Sequence, residues 1–290
     1  MLSLFAAVML ILSNLRSYLT TQEGGDFSDY GIPLKMSKNK RYLLFTLFLI
    51  SITALAWWGA IPQDLAYHNF ADQRHFLGIP NFWNVMSNVP FFFVGLWSFR
   101  VGIKHFHLRP DFTTKWLPIV LSSGIFMACF GSVYYHWHPN NFTLVWDRLP
   151  MTLMFMPIFA LIIYDFIGSK WGKTSFYTLV PLGIFSVFYW MHTESIGQGD
   201  LRFYAFVQFA PMLLGPIIIW LSPKKVPYLK YIIWMLAWYV LAKFCEHFDT
   251  EIYSAVGFWS GHTIKHLLGA VSLIYVVKLV EDWEKEFLKE

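Results

Sequence analysis

His262 and His266 stand four residues apart in the run Gly261-His262-Thr263-Ile264-Lys265-His266. On a helix that interval puts both imidazoles on one face, where they can chelate one transition-metal ion. The competing use of such a pair is a polar contact between helices. The glutamate that follows the first histidine of the zinc-protease motif is missing, so any general base comes from another helix. A second group reads Gly131-Ser132-Val133-Tyr134-Tyr135-His136-Trp137-His138, in which Ser132 and His136 share a helix face. Asp147 follows His136 by eleven residues, in Trp146-Asp147-Arg148-Leu149-Pro150-Met151. Spacing leaves His136 and His138 as equal candidates. Asp147 also suits a helix N-terminus, and Ser132 also suits close helix packing. Three histidines with a fourth position open make a catalytic zinc pattern, and a nearby carboxylate there can orient or deprotonate a water.

Other polar residues fall where a membrane helix avoids them. Asn84, Ser87 and Asn88 should face the inside of a bundle and hydrogen-bond between helices. Lys243 and Glu246 have the spacing of an ion pair one helical turn apart. Asp200, Arg202 and Gln208 are placed to brace the same mouth.

Membrane helices must carry these groups. Of the 290 residues, 56% are hydrophobic, 20% aromatic and only 14% charged, against about 25% charged in an average soluble domain. That excludes a disordered chain, a disulfide scaffold and an ordinary cytosolic enzyme. Cys129 and Cys245 lie in apolar runs and read as free thiols. The net charge of +4 is small and the basic residues form no stripe, so no nucleic-acid partner is expected.

Eight apolar runs are long enough to span a bilayer, at about 42–60, 81–103, 116–136, 149–167, 174–192, 203–221, 228–246 and 261–280. No strand alternation is sustained, so helices must satisfy the backbone. The domain plan is an N-terminal extension (1–35), an extra first span (36–63), a seven-helix domain (64–280) and a tail (281–290). Lys35, Lys38, Lys40, Arg41, Arg100, Lys104, Arg109, Lys115, Lys170, Lys173, Lys224, Lys225 and Lys230 fall in one set of loops, and Lys278, Lys285 and Lys289 at the end. The opposite loops hold only Arg74, Arg148 and Arg202. The positive-inside rule then makes both ends of the eight-helix core cytoplasmic and turns the histidines to the non-cytoplasmic face.

In these elements the chain resembles the alkaline ceramidase family, within the wider group that includes adiponectin-type receptors, and specifically its divergent or bacterial-type branch. The matching pieces are Asn84-Val85-Met86-Ser87-Asn88, Gly131-Ser132 with His136, Asp147-Arg148-Leu149-Pro150-Met151, and His262 with His266. Their order and separations agree with the family pattern over residues 64–280. The resemblance implies that His136, His262 and His266 are zinc ligands, favouring His136 over His138, and that Ser132 and Asp147 are the accompanying catalytic residues. Ser87 belongs to the motif and receives no chemistry. One span precedes the family's usual seven. In place of the acidic calcium-binding stretch of eukaryotic members stands Asp64-Leu65-Ala66-Tyr67-His68-Asn69-Phe70-Ala71-Asp72-Gln73-Arg74, and Asn81 stands where that pattern has a glutamate. Calcium and the substrate preference therefore do not carry over.

The expectation is an all-α polytopic membrane bundle acting as a zinc-dependent amidase. It would cleave ceramide-like lipids with a long acyl chain to a fatty acid and a sphingoid base, by zinc-activated water. The alternative is a receptor or lipid-binding protein whose zinc site is structural or weakly hydrolytic. A histidine-rich oxidase needs more ligands than the clustered histidines supply, and no pair of broken, repeated spans suggests a transporter.

Overall fold

The computed structural model describes residues 36–287, apart from residues 105, 110 and 225. The expected extension 1–35 and the last three residues of the tail lie outside the described residues. The chain is an all-α polytopic bundle. Its helices are α1 (Lys38–Trp57), α2 (Phe82–Met86), α3 (Val89–Lys104), α4 (Phe112–Trp137), α5 (Asn141–Phe166), α6 (Ser169–Ser195), α7 (Arg202–Leu221), α8 (Leu229–His247), α9 (Asp249–Val256) and α10 (Gly261–Phe287). Short 3-10 turns occupy Leu65–His68 and Phe106–Leu108. Both cysteines are buried free thiols.

Among the described residues six helices, α1, α4, α5, α6, α7 and α10, are long and apolar enough to cross a membrane. The other two expected spans are helical but differ. α8 carries Lys230, Lys243 and Glu246 within its 19 residues. The expected run 81–103 is broken in two. Pro90 lacks the amide that would bond the Met86 carbonyl, and the Ser87 hydroxyl and Asn88 amide donate to the Asn84 carbonyl at 3.2 and 2.7 Å. α3 keeps 16 residues, about 24 Å of helix. The expected tail is largely a continuation of α10, with Trp283 and Glu284 buried.

α4 packs between α3 and α5, α5 against α6 and α7, and α10 against α8 and α3. α1 touches the rest mainly through α7. Tyr42, Phe45, Leu49, Ile50 and Trp57 are exposed along it, as suits a helix apolar all round that faces lipid. The core of Leu117, Leu121, Ile125, Leu161, Ile232 and Leu279 joins the long helices.

One end of the bundle is basic. There Lys173 pairs with Asp111 at 3.1 Å and Lys224 with Asp165 at 3.6 Å. Arg109 pairs with Glu284, and Lys40 donates to the Leu221 carbonyl at 2.8 Å. The C-terminal end of α4 and the N-terminal ends of α5 and α10 lie at the opposite end.

The α4–α5 hairpin is tied at that opposite end. Asn140 and Thr143 form a reciprocal capping box, 3.0 and 3.2 Å. A Cβ on Gly131 would collide with the Trp146 carbonyl oxygen, the carbonyl whose helical partner amide Pro150 lacks. The two backbones therefore meet where Ser132 and Asp147 are carried. Gly131→Ala is expected to cost about 1–3 kcal/mol through overpacking and lower the unfolding midpoint in detergent. Gly59→Ala, with open space at its Cβ, serves as the neutral control. An unchanged midpoint for Gly131→Ala would contradict the close approach.

Candidate metal centre

The three histidines of the two sequence groups come together. His136, near the end of α4, and His262 and His266, in the first turns of α10, are all buried. The His136 Nε2 lies 3.2 Å from His266 Nε2 and 3.4 Å from His262 Nε2, and one ring nitrogen from each lies within 4.8 Å of the others. Tetrahedral zinc with bonds of about 2.05 Å puts its ligand nitrogens about 3.3 Å apart. The two close separations fit that edge length, so the group can hold a metal ion. His138 is the exposed cap of α4 and points to no such cluster.

The backbones of His136 and His262 and the ring of His266 have supporting partners, whereas the buried His136 Nδ1 has none. The Asp249 carboxylate accepts from the His262 backbone amide at 2.6 Å and from the Ala71 amide at 2.9 Å, fixing the start of α10. The Asn81 amide donates to the His136 carbonyl at 2.9 Å. Asn81 sits in the left-handed region, φ 47°, which asparagine tolerates better than most residues. The Ser87 Oγ lies 2.8 Å from His266 Nδ1. The Asn84 carbonyl lies 3.2 Å from the same hydroxyl; with the proton directed there, Ser87 accepts from Nδ1–H, the tautomer that leaves the Nε2 lone pair free. Such outer partners fix the tautomer and orientation of a ligating histidine. Asn84 in turn donates to the Asp72 carbonyl at 3.1 Å and accepts from Thr263 at 2.9 Å.

Ser132 and Asp147 lie near each other across the α4–α5 hairpin. Both line a cavity of about 490 Å³ enclosed by α4, α5, α7, α8 and α10. It starts at His266 and continues past Gly269, Leu273 and Met212 to Val276 and Ile162, about 15 Å along α10. Its head is polar. Lys243 and Lys265 share the Glu246 carboxylate at 2.6 and 2.9 Å, as the Lys243–Glu246 spacing predicts, and Lys265 Nζ also lies 2.9 Å from His262 Nε2. Gln208 lines the cavity and donates to Tyr239 at 3.1 Å. Asp200 and Arg202 pair at 2.8 Å, but Arg202 reaches the Trp58 carbonyl and ties down the end of α1 rather than the mouth.

The segment between α1 and α2 supplies what the sequence motifs omit. The buried Phe70 ring lies 4.7 Å from both His136 and His262, covering the histidines with an apolar face. His68 bridges Tyr135 and Asn141 at 2.9 and 2.8 Å. Tyr67 donates to Glu246 at 3.1 Å. Burial, with the Glu246 charge adding to it, pushes the Tyr67 phenol well above its ordinary pKa, so it stays a donor. Asp64 caps the 3-10 turn through the Ala66 amide at 2.9 Å, and Asp72 is held by Arg74 at 2.7 Å. The carboxylates of this stretch are thus engaged by the protein's own donors. No periodic pattern marks Phe70 or Tyr67 in the sequence. Ser87 was visible in its motif, but only as a contact between helices.

Comparison of the chain with protein-family models returns no match, and comparison with curated proteins returns none either.

The geometry sets two expectations. Alanine at His136, His262 or His266 abolishes one-to-one zinc binding, whereas His138→Ala retains it, read by metal analysis of the purified protein. Ser87→Ala weakens zinc about 10–100-fold in a chelator competition. Wild-type affinity in that variant would remove Ser87 from the centre.

Proposed function

We propose that the chain is an intramembrane zinc-dependent amidase of the alkaline ceramidase type, acting on amide lipids with a long acyl chain. The observation that carries this reading is the convergence of three buried imidazoles, one of which, His266, lines the head of an apolar cavity with Ser132 and Asp147 on its wall. His136, His262 and His266 would hold the ion as three protein ligands, the number typical of catalytic rather than structural zinc. When bound, zinc supplies Lewis acidity and lowers the pKa of a water toward neutrality.

The chain's own residues do the rest. Asp147 takes the proton of the attacking water and passes it to the leaving amine. Ser132, within reach of Asp147, donates to the oxyanion that develops at the carbonyl. The acyl chain lies along the apolar wall toward Val276, and the amine side stays at the polar head near Tyr67 and Glu246. Phe70 excludes bulk water from the histidines, which strengthens every charge interaction beneath it. The basic end of the bundle is cytoplasmic by the positive-inside rule, which turns the reaction centre to the other face. The products are a fatty acid and an amine, a sphingoid base when the substrate is a ceramide.

Zinc-loaded protein in detergent should release fatty acid from long-chain amide lipids through many turnovers. Ser132→Ala lowers kcat about 10²–10³-fold and Asp147→Asn about 10²–10⁴-fold, with zinc retained in both. Full zinc occupancy with no turnover on any amide lipid would overturn the amidase reading in favour of a receptor or lipid-binding protein.

A further inference from the structure

We propose that Arg148 forms an anion subsite beside the reaction centre, and that the amide lipid carries an acidic group, carboxylate or phosphate, on its amine side. This rests on the amidase reading and narrows its substrate class.

The charges on the cavity wall do not balance. Arg148, Lys243 and Lys265 line it against Asp147 and Glu246, before any metal ion adds its own charge. Glu246 is committed: it accepts from Lys243, Lys265 and Tyr67 at 2.6, 2.9 and 3.1 Å. Asp147 lies beside Ser132 and feels the Arg148 charge, but forms no ion pair with it. Arg148 is 7% exposed, and among the described residues no carboxylate pairs with it. Its Nη2 donates to the neutral Gln63 side chain at 2.6 Å, while its buried Nη1 has no hydrogen-bond partner. The guanidinium rests on the faces of Trp190 and Tyr204, at 4.2 and 4.9 Å, with the Tyr67 ring at 6.0 Å.

Ring faces and an amide hold a cation in place without neutralising it. A buried guanidinium with an unpartnered N–H is costly, and its planar fork matches a carboxylate or phosphate. The position is equally specific. Arg148 directly follows Asp147, and the Tyr67 that faces it also reaches Glu246 at the cavity head. The other end of the cavity is lined by Ile162, Met212 and Val276 and suits a hydrocarbon tail. The acidic group therefore belongs on the amine side of the scissile bond.

The test uses zinc-loaded full-length protein and amides of one acyl chain: an N-acyl amino acid, its methyl ester, a ceramide and the phosphorylated ceramide. A charge-assisted hydrogen bond predicts about tenfold or more in kcat/KM for the acid over its ester, or for the phosphorylated over the plain ceramide. Whichever pair shows the larger ratio identifies the anion. Arg148→Gln brings that ratio close to one with zinc content unchanged, and Arg148→Lys restores part of it. Equal kcat/KM within both pairs for the wild-type protein overturns the subsite, with no variant needed. If no amide is cleaved, equilibrium binding of the same acid and ester decides. Tighter binding of the acid that depends on Arg148 keeps the subsite while the amidase reading falls; equal binding removes the subsite.

Discussion

Three imidazole nitrogens lie close together in the interior of an apolar bundle, and a single metal ion can take all three in place of the Lys265 contact at His262. Much of the surrounding structure serves that convergence. His136 comes from the end of one long helix, and His262 and His266 from the start of another, so α4 and α10 must be held at matching height. The Asp249 carboxylate does this for α10 and the Asn81 amide for α4. The break between α2 and α3 has the same logic. A continuous helix through residues 87–89 would change where the Ser87 hydroxyl points, and with it the bond that frees the His266 Nε2.

A second constraint is the junction between dry and polar regions. The histidines sit at the boundary of a long apolar cavity and a head of ionised side chains. A lipid amide has the same division, with hydrocarbon on one side of the bond and polar substituents on the other. The bundle offers both environments within one cavity, and the Phe70 segment covers the boundary. In low dielectric the ion cluster of Lys243, Glu246 and Lys265 holds α8 to α10 firmly, because breaking a buried pair leaves a charge stranded. The same physics makes Arg148 informative: a buried cation without a carboxylate at ion-pair distance is one that an anionic ligand can pair with.

Much of this was legible in the sequence, and the reasons are physical. Apolar runs of bilayer length and the interval of four between His262 and His266 are periodic signals, and they identify the helices and the face that binds. The hairpin placed Asp147 near Ser132 because a short loop forces neighbouring helices to be antiparallel. Spacing could not choose between His136 and His138, since both sit in the last turn of α4; in the structure one is buried and the other caps the helix. The break at Ser87 depends on Pro90 and on side chains that cap a carbonyl, which a hydropathy run averages away. Phe70, Tyr67 and His68 lie in an irregular segment with no period, so only the folded chain shows that they cover the centre. That the Arg148 Nη1 has no hydrogen-bond partner is likewise a property of its surroundings and not of its neighbours in sequence.

X-ray absorption at the zinc edge of the purified wild-type protein addresses the metal centre most directly. The predicted spectrum has a first shell of three imidazole nitrogens and one oxygen at about 2.0–2.1 Å. A shell containing sulfur, a six-oxygen shell, or protein that retains no zinc when dialysed against the ion would contradict a zinc centre at His136, His262 and His266.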